Sequence, residues 1–232
     1  MCQRNLRVQW RWQSKRELYL KFIYFHIFFT VPKLIPMIPG VSPFSHASKE
    51  LIKVFESGTA EPWSGYGFSL KHKHVPEMAK HSGILRKPLF QPQIATFPQG
   101  MVVSVPLHTD WLAPGTTGEV IHKVLTDHYA GSVFVKVMPR GDVATKEAQL
   151  LERGAFLRPD TLANTNNLEL FVFDNQDDGM ILLCARLDNL GKGASGAAVQ
   201  NMNLALGVDE TTGLLVAPSS SEESCSHSEL KC

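Results

Sequence analysis

Leu187–Gly207 reads LDNLGKGASGAAVQNMNLALG, and the rest of the chain is read outward from it. Asp188–Gly193 is a glycine-rich turn. Beyond it Ser195, Ala198, Val199, Met202 and Leu206 fall close to one face of a 3.6-residue period, which predicts a helix. The face begins with small residues and ends with larger ones. Small side chains let another backbone or a flat ligand approach closely. A helix start behind glycines also exposes backbone N–H groups that suit a carboxylate, phosphate or amide. A tightly packed core helix with no ligand explains the same pattern. Lys192, between Gly191 and Gly193, is either a phosphate contact or a solvated lysine.

Upstream, Met180–Arg186 (MILLCAR) and Leu168–Phe173 (LELFVF) are strong strands, joined by the hairpin loop Asp174–Gly179. Asn164, Asn166 and Asn167 precede the first of them and read as a turn, with amide contact to a ligand as the alternative. Ser132–Val137 is a strand, and Arg140–Arg158 is irregular, with a short helix near Lys146–Arg153. Thr117–Tyr129 is a helix with Val120, Val124 and Leu125 inward. Gln93–Phe97 and Met101–Leu107 are strands around the turn Pro98-Gln99-Gly100. Ser48–Glu56 is a short amphipathic helix with Ser48 as N-cap and Leu51, Ile52 and Phe55 on one face. Phe68–His74 alternates as a strand, and Pro76 opens a helix containing Glu77. These elements predict an α+β fold: a mostly antiparallel sheet with helices on one face and the other face covered by something else, such as a partner subunit.

The chain has 232 residues and a formal net charge of +1, which gives no footprint for nucleic acid. Its four cysteines, Cys2, Cys184, Cys225 and Cys232, form no CxxC pair, so free thiols in a reducing, cytoplasmic compartment are expected. Residues 1–40 form an atypical segment. Arg4, Arg7, Arg11, Lys15 and Arg16 precede the apolar run Leu18–Val31 (LYLKFIYFHIFFTV). Lys21 and His26 interrupt the run, no small-residue cleavage site follows, and it is shorter than the ~20 residues of a membrane span. Residues 41–216 are the folded domain. Residues 217–232 form a tail that is almost without apolar side chains and is expected to be disordered.

His72-x-His74 with Glu77 is the densest polar cluster. On a strand, i and i+2 side chains point the same way, so both imidazoles can meet one site. Three readings stand side by side: a metal site with a carboxylate, a general acid–base histidine oriented by its neighbours, or a structural or surface pair. The GxGxxG pattern of a dinucleotide site is missing, and no cysteine sits at a strand-to-helix turn.

KHKHVPEM (Lys71–Met78) and LDNLGKGASGAAVQNMNLALGVDETTGL (Leu187–Leu214), with Pro98–Met101 and Asn167–Phe173 in the same order between them, resemble N-acetyl-gamma-glutamyl-phosphate reductase in its shorter form, from about Phe44 to Leu214. The resemblance implies a catalytic and dimerisation domain of the glyceraldehyde-3-phosphate dehydrogenase type, using its sheet as a subunit interface and forming a homo-oligomer. It also implies NADPH-dependent reduction of N-acetyl-glutamyl phosphate to the semialdehyde, in arginine biosynthesis. By motif it assigns proton transfer to His72, support to Glu77, and contact with NADP to Gly193 and Ala194; no metal is implied. The family's nucleotide-binding half and its Pro-Gly-Cys nucleophile have no counterpart here, and Phe44–Lys49 matches its glycine-rich loop only in part. The chain by itself is therefore expected to be inactive. The alternative is a non-catalytic interaction module derived from that enzyme.

Overall fold

A computed structural model of the protein describes residues 37–43, 49–84 and 86–216. The basic start, the apolar run, the Phe44–Ser48 stretch, the tail, Cys2, Cys225 and Cys232 lie outside those residues, as do the side chain of Leu51 and the expected cap at Ser48. Seven strands make one sheet: β1 Met37–Pro43, β2 Trp63–Gly65, β3 Leu89–Ala95, β4 Met101–His108, β5 Val135–Val137, β6 Leu168–Asn175 and β7 Met180–Leu187. The spatial order is β2-β3-β1-β4-β7-β6-β5. Four of the strand pairings are antiparallel. β1 with β3 and β5 with β6 are parallel. The sheet is therefore mostly antiparallel, as the sequence predicts.

The hairpin β6–β7 is its centre. Leu168, Leu170 and Val172 on one strand and Ile181, Leu183, Ala185 and Leu187 on the other are all buried in the main core, joined by Val105 and Leu107 of β4. Period-two alternation puts these on one face. Against that face pack Met78 of helix α2 (Val75–Ser82) and Ile121 and Leu125 of helix α3 (Gly118–His128). Helix α1 spans Lys49–Glu56 and α4 spans Gly141–Glu147.

The opposite face is partly self-covered. Phe171 of β6 and Cys184 of β7 meet Met138, Leu150 and Leu157, contributed by the segment around and after α4. Farther along, Met180 and Leu182 stay exposed.

Several local expectations are corrected. α3 buries Leu125 but leaves Val120 and Val124 exposed. Its inner face uses Ile121 and His122 instead, the latter's ring nitrogen lying 2.9 Å from the Met138 carbonyl oxygen. The short helix expected near Lys146–Arg153 lies earlier, at Gly141–Glu147, where the Thr145 hydroxyl is buried and donates to the Pro139 carbonyl. The strand expected at Ser132–Val137 shrinks to Val135–Val137. The strand expected at Gln93–Phe97 runs from Leu89 to Ala95, and β1 lies between it and β4 in the sheet.

Candidate active site

The turn after β7 is built on buried polar groups. Asp188 and Asn189 are almost fully buried. The Asp188 carboxylate accepts from the Gln99 side-chain amide, from the Asn164 backbone N–H at 2.7 Å and from the Leu190 backbone N–H at 2.8 Å. Asn189 Oδ1 accepts from the Gly100 N–H at 2.8 Å. One aspartate and one asparagine thus tie together the Pro98–Gly100 turn, the Asn164 turn and the end of β7. Burial is tolerated because the carboxylate's lone pairs are used.

The chain then makes a π-helical turn, Gly191–Ser195, before helix α5, Gly196–Leu206. Gly193 N–H donates to the Asp188 carbonyl at 2.7 Å and Ser195 N–H to the Leu190 carbonyl at 2.9 Å, the i to i−5 pattern of a π turn. Two glycines make the close approach possible. A Cβ on Gly191 would sit 2.7 Å from the Thr165 carbonyl oxygen, and one on Gly196 would sit 2.3 Å from Asn166 Oδ1.

The helix is turned the other way from its expected orientation. Met202 is 53% exposed and Leu206 70%, and Ala198 is exposed with them, so the apolar face read from the sequence looks outward. Inward point Lys192, Gly196, Gln200 and Asn203. Lys192 Nζ donates to Gln200 Oε1 at 2.7 Å, and Asn166 Nδ2 donates to the same oxygen at 2.9 Å. Gln200 Nε2 donates to Glu210 Oε2 at 3.1 Å, and Asn203 Nδ2 donates to the carbonyls of Glu210 and Thr212. The Lys192 ammonium also lies 5.4 Å from the centre of the Phe134 ring. Burial lowers its pKa to about 8, with the Glu210 carboxylate pulling the other way. Lys192 is therefore neither solvated nor open to a phosphate. Gly193, Ala194 and Ser195 form the exposed outer surface of the turn.

The second cluster is held differently. Phe68–His74, expected as a strand, is a series of turns, with Leu70 at φ +57°. Only Phe68 and Leu70 of the alternating set are apolar, too short a face to bury a strand. His72 is half-buried against Phe90, at 5.0 Å between ring centres, and His74, at 5.1 Å, with Tyr66 at 6.2 Å. Its Nδ1 accepts the His74 backbone N–H at 3.3 Å. Burial lowers the His72 pKa, and the neighbouring His74 and Lys73 push it the same way. Glu77, one turn into α2, pairs at 2.8 Å with His74 Nδ1, and that hydrogen bond lowers its carboxyl pKa. Glu77 thus reaches His72 through His74. Among the described residues no three of His, Cys, Asp and Glu come together as a metal site.

Sheet register gives the spacing of the strands behind the two clusters. Pro92, Gly40, Val103 and Ala185 share a row. Phe90 lies two residues to one side of that row on β3, and Leu187 two residues to the other side on β7, three strands across. At ~3.3 Å per residue and ~4.8 Å per strand, they are roughly 20 Å apart. Cys184 is near neither role of a nucleophile: it is buried, 3.5 Å from Ser104 Oγ, and burial raises its thiol pKa. Sequence reading missed Gln99, Asn166, Gln200 and Glu210 as partners. The spacing of Lys192, Gly196, Gln200 and Asn203 was the available signal, a second helical face made of polar and small residues.

Residues 30–189 match the family model described as semialdehyde dehydrogenase, dimerisation domain. The chain is 42% identical over 193 residues to N-acetyl-gamma-glutamyl-phosphate reductase 2 of Nostoc sp., covering 79% of this chain and 58% of that protein. To the N-acetyl-gamma-glutamyl-phosphate reductase of Sinorhizobium fredii it is 45% identical over 174 residues, 73% of this chain and 53% of the relative. It therefore spans little more than half the length of these relatives. Among solved structures, aspartate semialdehyde dehydrogenase from Francisella tularensis matches with a TM-score of 0.55 at 12% identity, over 83% of this chain and 64% of that one, a likeness of fold alone. No helix among the described residues is long and apolar enough to cross a membrane. The chain belongs to the semialdehyde dehydrogenase family through its dimerisation domain, and the relatives it resembles in sequence are N-acetyl-gamma-glutamyl-phosphate reductases.

Proposed function

We propose that this chain carries the catalytic and dimerisation half of an NADP-dependent N-acetyl-gamma-glutamyl-phosphate reductase, acting in the cytoplasm in arginine biosynthesis. The observation that carries the reading is His72. Its Nδ1 is occupied as an acceptor, so the neutral ring holds its proton on Nε2. The lowered pKa keeps the ring neutral at neutral pH. Such a ring donates a hydrogen bond from Nε2 to an oxygen gathering negative charge, or passes a proton there. His74 orients it, and Glu77 orients His74.

Gly193 and Ala194 fit one end of the cofactor. They present small, exposed backbone on a turn whose hydrogen bonds are already satisfied, which suits the edge of a flat nicotinamide. NADPH, when bound, supplies hydride. The phosphate and adenosine ends need a glycine-rich cradle that the sequence does not carry, so these residues hold only the reactive end. Cys184, buried with a raised pKa, is unsuited to be the nucleophilic thiolate of the reaction. Dimerisation is assigned to the sheet face where Met180 and Leu182 remain exposed.

The test is the reverse reaction, phosphate-dependent reduction of NADP by N-acetyl-glutamate semialdehyde. The chain alone is expected to be inactive. Mixed with the separately produced nucleotide-binding half of the Nostoc relative, it is expected to turn over, and His72→Ala is expected to abolish that turnover. A complex that forms without turnover, or turnover unaffected by His72→Ala, overturns the reading.

A further inference from the structure

The segment after α4 folds back over β7 and leaves a pocket of about 310 Å³, at the small end of the range for ligand sites. Gln149, Glu152, Arg153, Arg158 and Thr161 form its exposed rim, and Arg186 of β7, 3% exposed, is its floor. Two of the rim residues hold left-handed backbone without being glycine: Gln149 at φ +57° and Arg153 at φ +51°. Residues with a Cβ avoid that region, and strain of this kind gathers where a ligand is held. The loop keeps its shape through paired backbone bonds between Glu152 and Phe156, at 2.8 and 3.0 Å.

The charges around the pocket are unevenly matched. Arg186 gives Nε and Nη2 to the Glu169 carboxylate, at 2.8 and 2.6 Å, and Nη1 to the Arg158 carbonyl oxygen at 3.3 Å. Arg158 in turn grips Asp160 with Nε and Nη2, at 2.9 and 2.6 Å. Both guanidinium groups are thus neutralised by carboxylates that do not line the pocket. Two charges are left over. The Arg153 guanidinium lies 4.9 Å from the centre of the Phe156 ring and has no carboxylate partner among the described residues. The Glu152 carboxylate has Arg158 Nη1 at 3.7 Å, beyond hydrogen-bond reach. One cation and one anion on the same rim match a ligand that carries both signs. A plain anion or cation would meet one attractive and one repulsive charge. Leu150 and Leu151 add an apolar wall. We propose that this pocket binds the zwitterion of a free α-amino acid with an apolar side chain, its carboxylate on Arg153 and its ammonium on Glu152. A guanidinium takes a carboxylate in two parallel bonds, which fixes the ligand's orientation. The inference rests on the placement of these side chains and not on the chemistry assigned to His72.

The test titrates the full chain with L-leucine as the probe, read by saturation-transfer NMR at neutral pH. L-Leucine is expected to bind at least ~10-fold more tightly than N-acetyl-L-leucine, which lacks the ammonium, and than L-leucinamide, which lacks the carboxylate. Glu152→Gln and Arg153→Asn are each expected to weaken L-leucine by the same factor. Asparagine tolerates the left-handed backbone at position 153, so the loop keeps its shape. No saturation of L-leucine overturns the proposal. Either derivative bound as tightly as L-leucine also overturns it, as the mark of a site for one charge alone. Binding unchanged in either variant places the amino acid elsewhere and overturns it too.

Discussion

The two turns that carry the proposed chemistry are built on opposite plans. Asp188–Ser195 is locked from within: buried carboxylate, amide and ammonium groups each have partners, and its outer surface is left small and plain. Tyr66–Glu77 is held by ring contacts, by backbone bonds of its own turns, by bonds joining Tyr66 to Gln91 and Pro92, and by the side-chain bonds of His72 and His74, and its large side chains face out. The first turn is rigid before anything binds. A buried polar network fixes one geometry at high stakes, because every missing partner leaves a desolvated group. Exposed aromatic contact fixes little alone but adapts to a neighbour.

Asp188→Ala is the most damaging substitution on this comparison. It strands three donors, each worth ~1–3 kcal/mol, and the expected loss is at least ~3 kcal/mol in urea denaturation. A loss under ~1 kcal/mol would break the contrast between the turns. Gly196→Ala comes next, at ~1–3 kcal/mol, because the added methyl meets Asn166 and the Gly191 carbonyl. Lys192→Met is milder and differs in sign. Removing a buried charge for an apolar chain of similar length leaves stability at pH 7 unchanged or raised, since Gln200 Oε1 keeps its bond from Asn166.

Lys192 also has a pH signature. Its folded pKa of about 8 lies below the ordinary 10.5. Between those values the unfolded chain holds a proton that the folded chain has released, so stability rises with pH, by at most ~1.4 kcal/mol per unit. Denaturation series from pH 8 to 10.5 should show that slope in the parent chain and lose it in Lys192→Met. The smallest effects belong to the other turn. His74→Gln and Glu77→Gln should leave the denaturation midpoint in place, while the NMR titration of His72 moves upward in His74→Gln as a neighbouring positive charge is removed.

What the sequence disclosed follows the same division. The β6–β7 hairpin was legible because alternation, β-branched residues and the DNQDDG loop agree. The family was legible in the motifs at either end of the domain. Helix α5 was found but turned the wrong way: Ala198, Met202 and Leu206 give it an apolar face, yet Lys192, Gln200 and Asn203 go inward because Asn166 and Glu210, distant or late in sequence, wait there to pair with them. The spacing of Lys192, Gly196, Gln200 and Asn203 marks a second face, but their partners decide that it is the one turned inward. In α3 the valines at 120 and 124 drew attention from Ile121, while the inward His122 is satisfied by a carbonyl on another element. The strand expected at Phe68–His74 is absent because period two with only two apolar residues, Phe68 and Leu70, specifies no buried face.

The insertion of β1 between β3 and β4 sets an order of assembly. β1 is made before every strand it touches, and it bridges β2–β3 to the four strands from β4 onward. During synthesis those two groups have no hydrogen-bonded joint until an early segment threads between partners translated much later. Such non-local pairing is slow and leaves open strand edges while it waits. A peptide copy of Met37–Pro43 supplied in excess is expected to compete for the slot between β3 and β4 during refolding.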